Sequence, residues 1–236
     1  MNTPDESPAV ELTATGGVEE EAFLATISEA LEERGPVVDL PDQGPARAVE
    51  PGHETLDLFI EMATDAGTKV QPVDTAASAA EHVLSIVRAA GASRVLVAPE
   101  AMPARSDILA QLESAGLTFV DPDNPDAAFD AEVGITGVRL AVAETGSLAL
   151  DSGPVQRRMA SLAVSVHIAI LRTDQIVADL VDWAEAIGNA PPASTVLITG
   201  PSKTADIELV LVTGVHGPKE VHVVLLPPES DTPEFV

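Results

Sequence analysis

TKVQPVDTAASAAEHVLSIVRAAGASRVLVAPEAMPARSDILAQLESAGLTFV, residues 68–120, decides the fold. A short β-prone run at 68–73 leads into an alanine-rich segment at 75–90, with Val83, Leu84 and Val87 at helical spacing and Gly91 as its stop. SRVLVA at 93–98 repeats the strand, 104–115 repeats the helix up to Gly116, and LTFV at 117–120 opens a third strand. Strands alternating with helices of this length predict a parallel sheet with crossover helices.

Upstream, Phe23, Leu24, Ile27, Ala30 and Leu31 mark one face of a helix over 19–34, and Thr55 caps a second helix ending at Gly67. Residues 36–54 hold four of the nineteen prolines and read as a connection. Downstream, DPDNPD at 121–126 is a turn-rich break, and VGITGVRLAVAETGSLALDSG at 133–153 reads as short strands with a hairpin at ETGS. Strand 165–171, helix 175–187, strand 195–199, helix 202–213 and strand 220–226 complete the expected order. The expected whole is one α/β domain over 19–230, an open, mixed but largely parallel sheet flanked by helices. Flexible tails are expected at 1–18, which is acidic, and at 231–236.

Hydrophobic residues make up 45% of the 236, yet there are only five Phe, one Trp and no Tyr, so the core is expected to be aliphatic. No apolar run approaches the ~20 residues that span a bilayer, and the N-terminus lacks a signal-peptide pattern, so a cytoplasmic protein without a membrane span is expected. The absence of cysteine excludes disulfides, thiolate catalysis and cysteine-ligated clusters or zinc. A net charge of −26 repels nucleic-acid phosphate and anionic lipid, so neither is an expected partner. The acids crowd the first 130 residues, 25 against 6 bases, compared with 13 against 6 thereafter. A solvated acidic surface, as in salt-adapted proteins, explains this more simply than an acidic docking face.

Three segments can carry chemistry. In AETGS, Glu144 at a strand end is a candidate nucleophile or general base, with Thr145 and Gly146 shaping the turn. Satisfying hairpin backbone groups accounts for the same residues. In DSGPVQRR, Ser152 and Gly153 open a short helix whose N–H groups can hold phosphate or carboxylate, while Arg157 and Arg158 are read first as surface ion-pair partners. In ITGPSKTADIE, Gly200 leads into a helix expected to start at Ser202, Lys203 and Thr204, where an anion is favoured. Capping explains Ser202 and Thr204 but not Lys203, whose charge opposes a helix N-terminus. His216 and Gly217 occupy the following turn, His216 as a candidate acid–base group. His167 and His222, inside apolar strands, read as core or sheet histidines. Neither a metal-binding pattern nor a Walker or dinucleotide fingerprint is present.

AETGSLALDSGP, VHIAI, ITGPSKTADIE and GVHGPKEVHVVLL together resemble the LUD-domain proteins of the lactate utilization protein C type, densely from about Gly134 to Leu226. The resemblance implies a fold similar to that of CoA transferases and ribose-5-phosphate isomerase. It also implies a part in the oxidation of L-lactate to pyruvate within an iron–sulfur system. Lacking cysteine, this chain would be a non-redox subunit with no cofactor of its own, its iron–sulfur partner subunits carrying the clusters, and would bind a small anionic ligand. Two other functions fit the same residues: a stand-alone acyl- or CoA-transfer enzyme with Glu144 as nucleophile, and a non-catalytic anion-binding regulatory module.

Overall fold

The computed structural model describes residues 20–32, 49, 54–152, 158–188, 192–204, 212–213 and 217–228. Both expected tails, and Gly35, Gly153 and His216, lie outside the described residues. The chain divides into two units, Met1–Pro45 and Ala46–Val236. In the first, the described residues form helix α1 (Glu20–Glu32), with Phe23, Leu24 and Ile27 at helical spacing.

The second unit begins with α2 (Thr55–Asp65), then alternates as the sequence predicts: β1 (Lys69–Pro72), α3 (Ala76–Ala89), β2 (Arg94–Val97), α4 (Arg105–Ser114) and β3 (Thr118–Phe119). Thr75 starts α3 with a capping box, its Oγ1 accepting from Ser78 N–H at 3.1 Å while Ser78 Oγ accepts from Thr75 N–H at 3.0 Å. The turn-rich break holds a single helical turn, α5 (Pro125–Ala128), capped by the Asn124 side chain. There follow β4 (Val133–Gly137), β5 (Leu140–Val142), β6 (Ser147–Ser152), α6 (Met159–Leu162) and β7 (Val166–Arg172). A 3-10 turn (Thr173–Gln175), β8 (Ile176–Val177), α7 (Leu180–Ile187), β9 (Ser194–Ile198), β10 (Lys203–Thr204), β11 (Val212–Thr213) and β12 (Glu220–Leu226) end the described order.

Six strands form one parallel sheet in the order β1-β12-β7-β4-β2-β3. Side chains alternate across it, as strand geometry requires. Val166, Ile168, Ile170, Val224 and Leu226 pack with α3 and α4 on one face, while Ala169, Leu171, Val221, Val223 and Leu225 pack with α2 and the hairpin on the other. The hairpin strands belong to a second sheet of order β8-β5-β6-β9, in which β5, β6 and β9 run antiparallel in turn. The hairpin and its antiparallel neighbour β9 thus lie outside the parallel sheet, in a second sheet that β8 joins parallel to β5.

Two expected helices are corrected. The helix placed at 175–187 starts at Leu180, where Asp179 accepts the Val181 and Asp182 N–H groups, each at 2.9 Å. The helix placed at 202–213 is absent at both of its ends: Lys203 and Thr204 pair antiparallel with Thr213 and Val212. An apolar run of this length carries no unambiguous period, and Val and Thr at its ends favour strand. Ser202 N–H is bonded to the Pro218 carbonyl at 2.9 Å, so it is not an open helix donor.

Candidate functional site

Parallel strands bring their carboxyl ends to one edge, and the chain leaving β2, β4 and β7 there frames a cleft of about 290 Å³. Glu100 comes from the segment after β2, Thr136 and Arg139 from the end of β4 and just beyond it, and Gln175 from the turn after β7. The second sheet supplies the facing wall with Asp151, and α6 and its entrance supply Ser161 and Arg158.

Several of these groups bind one another. Arg139 forms an ion pair with Asp151, whose side chain is only 6% exposed and whose Oδ1 also accepts from Thr195 Oγ1 at 2.7 Å. That pair is internally neutral. Gln175 donates from Nε2 to the carbonyls of Val138 at 2.6 Å and Arg139 at 3.2 Å, and accepts the Arg172 N–H at 2.8 Å, so it staples the exit of β4 to the end of β7. Arg105 donates to the Ala98 and Glu100 carbonyls at 2.6 and 3.2 Å and fixes the exit of β2.

Other groups remain unspent. Arg158 makes no ion pair among the described residues. Glu100 Oε2 and Ser152 Oγ are buried without a hydrogen-bond partner among them. Burial pushes the Glu100 carboxyl above its ordinary range, only partly opposed by the Glu100 and Gly137 N–H groups and the Arg105 charge. Beneath the cleft, Thr136 Oγ1 lies 2.9 Å from Nε2 of the fully buried His167. Burial, aided by His222, lowers the His167 pKa to about 4, so the ring is neutral at physiological pH. A cation and hydroxyls suit a small anionic ligand with oxygen atoms.

Most of the residues singled out from sequence lie elsewhere, around the C-terminal end of α2. Gly146 turns the hairpin at φ +63°, and a Cβ there would sit 2.2 Å from the Ala63 nitrogen. At Gly200, with φ +80°, a Cβ would lie 2.3 Å from the Ala66 carbonyl oxygen. The hydroxyls of Thr145, Ser147 and Thr199 form a chain with links of 2.7 and 2.6 Å. Glu144 is half-buried, with its N–H on the Ala178 carbonyl at 2.9 Å. Lys203 donates to the Ala66 carbonyl at 2.8 Å. Its charge meets the negative end of α2, which reverses the expected setting at a helix N-terminus. Ser202 and Gly217 are neighbours, and a Cβ on Gly217 would stand 3.2 Å from that of Ser202.

Ser152 ends β6 and Gly146 precedes it, so the six-residue strand holds the two motifs about 17 Å apart. Neither Glu144 nor Ser152 is among the residues that line the cleft at the carboxyl edge. Glu100, Thr136, Arg139 and Gln175 escaped the sequence reading because each is an isolated residue in no motif. Their signal is positional: each follows or ends a strand of the parallel sheet, where ligands of such sheets bind.

A parallel sheet with a polar cleft at its carboxyl edge, walled by a second sheet, defines a two-sheet α/β protein. The chain belongs to the LUD-domain family, whose model, described as LUD domain, matches residues 56–226 and so contains the whole cleft. It is 33% identical over 212 residues to lactate utilization protein C of Deinococcus radiodurans, covering 86% of this chain and 93% of that one. It is 28% identical over 217 residues to lactate utilization protein C of Anoxybacillus flavithermus, covering 87% and 98%. Among solved structures, a DUF162 family protein from Deinococcus radiodurans superposes with a TM-score of 0.53 at 24% identity, over 73% of this chain and 96% of that one, a likeness of fold.

Proposed function

We propose that this chain is a non-redox subunit of a lactate-utilization system and that its cleft holds a small carboxylate, L-lactate or pyruvate. One observation carries the reading: Arg158, without an ion-pair partner among the described residues, lines a small cleft beside Thr136 and Glu100, in a chain whose relatives are named for lactate utilization. Arg158 supplies the charge for the carboxylate, and the Thr136 hydroxyl meets a second ligand oxygen. Oxidising L-lactate to pyruvate releases two electrons and two protons. A chain without cysteine holds no cysteine-ligated cluster, and the electrons are assigned to the iron–sulfur partner subunits that the family resemblance implies.

The test is growth on L-lactate as sole carbon source by a strain lacking this chain. No growth is expected, with rescue by the wild-type chain and not by Arg158→Ala. Normal growth of the deletion strain, or full rescue by Arg158→Ala, overturns the proposal.

A further inference from the structure

We propose that His167, buried under the cleft floor, is a positioning residue that makes Thr136 a dedicated hydrogen-bond donor to an acceptor oxygen of the cleft ligand. The inference rests on the cleft being a carboxylate site and assigns the subsite that meets the carboxylate.

Strand register sets up the contact. Gly134 pairs with His167 and Thr136 with Ala169, so His167 and Thr136 are diagonal neighbours on one face of the sheet. Gly134, directly opposite His167, presents no side chain, and the imidazole reaches along the strand to Thr136 Oγ1 at 2.9 Å. His167 is 0% exposed and Thr136 1%, yet Thr136 also lines the cleft. It is the link between the buried ring and the ligand space.

The remaining ring nitrogen decides the direction of that link. Nδ1 has no hydrogen-bond partner among the described residues. If Nδ1 carried the proton, a buried N–H donor would be orphaned, and Thr136 would donate its proton to Nε2 and show the cleft only lone pairs. Neutral histidine intrinsically prefers its proton on Nε2, and that tautomer leaves only a bare imine nitrogen unpaired. Nε2–H then donates to Thr136 Oγ1, and the Thr136 hydroxyl hydrogen is free for the cleft. A fixed donor favours a carboxylate or phosphate oxygen; the opposite tautomer would favour an alcohol or amine.

The first measurement needs no ligand: long-range ¹H–¹⁵N correlation of the imidazoles in the free, full-length chain at neutral pH. The Nε2–H pattern for His167 is expected, and the Nδ1–H pattern overturns the inference. The second is calorimetric titration with L-lactate and with pyruvate. Thr136→Val keeps the side-chain shape and should weaken binding about ten-fold, as loss of one hydrogen bond to a charged group does. His167→Leu should weaken it comparably, while His167→Gln, which retains an N–H donor, restores much of it. Unchanged affinity in folded Thr136→Val overturns the inference and leaves the carboxylate site standing. A wild-type chain that binds neither acid overturns the carboxylate site, and the inference with it, whatever the tautomer.

Discussion

Two regions of this molecule are built from the same parts, glycines, hydroxyls and cations, and differ in what those parts have left to do. At the end of α2, Lys203 is spent on the Ala66 carbonyl, and Thr145, Ser147 and Thr199 satisfy one another. Gly146 and Gly200 exist there because backbone fills the space a Cβ would need. At the carboxyl edge of the parallel sheet, Arg158 has no described ion-pair partner, Glu100 Oε2 is buried without a described hydrogen-bond partner, and Thr136 is held from below. Polar residues that complete each other are structure. Polar residues left incomplete around a cavity are where a ligand belongs.

If the α2 end is structural, its glycines carry the largest stability effects. Gly146→Val forces a β-branched residue to φ +63° and drives its Cβ into Ala63 backbone. The expected cost is about 4 kcal/mol or more, a fall of roughly 10 °C in the thermal midpoint followed by circular dichroism. A Gly146→Val chain that keeps its melting temperature but loses L-lactate binding would reverse the assignment of the two regions.

Acid tests the other region. The unfolded chain protonates His167 near 6.5, whereas the folded chain resists until about 4. Its stability is therefore complete above pH 6.5 and declines as pH falls toward 4, by on the order of 3 kcal/mol. Urea midpoints across that window should fall for the wild type and fall less for His167→Leu. Equal slopes would mean that the folded ring accepts a proton, and hence that the floor of the cleft is wetter than its burial indicates.

Removing Arg139 sharpens the contrast within the cleft. Arg139→Ala leaves the nearly buried Asp151 carboxylate with Thr195 as its remaining described hydrogen-bond donor, a loss of about 2–3 kcal/mol in urea unfolding. Adding Asp151→Asn should recover much of it, because the pair is a neutral unit of the wall.

The sequence made the layers legible where one period dominated. The run at 68–120 alternates unambiguously, and all its strands and helices form as expected. The segment from Ser202 to Thr213 failed because an apolar run with β-branched ends fits helix or strand, and long-range closure through Ser202 N–H and Pro218 was invisible locally. The candidate site was obscured for a related reason. Motif reading rewards dense groups such as ETGS and GPSK, whose glycines are there because the tight turns against α2 leave no room for a Cβ. Thr136, Glu100 and Gln175 come together only when the strands of a parallel sheet share an edge.

The smallest effect separates the two cations. Lys203 is exposed and makes one bond to a carbonyl at the negative end of α2, so solvent screens it. Lys203→Ala should cost about 0.5 kcal/mol, less at high salt, and leave L-lactate affinity unchanged. Arg158, with no charged partner among the described residues to abandon, should leave stability within about 0.5 kcal/mol on replacement by alanine while reducing that affinity at least ten-fold. Paired urea and calorimetric titrations of the two variants check both statements. Were Lys203→Ala to abolish binding while Arg158→Ala did nothing, the ligand would sit at the end of α2 and the cleft would be an incidental gap between sheets.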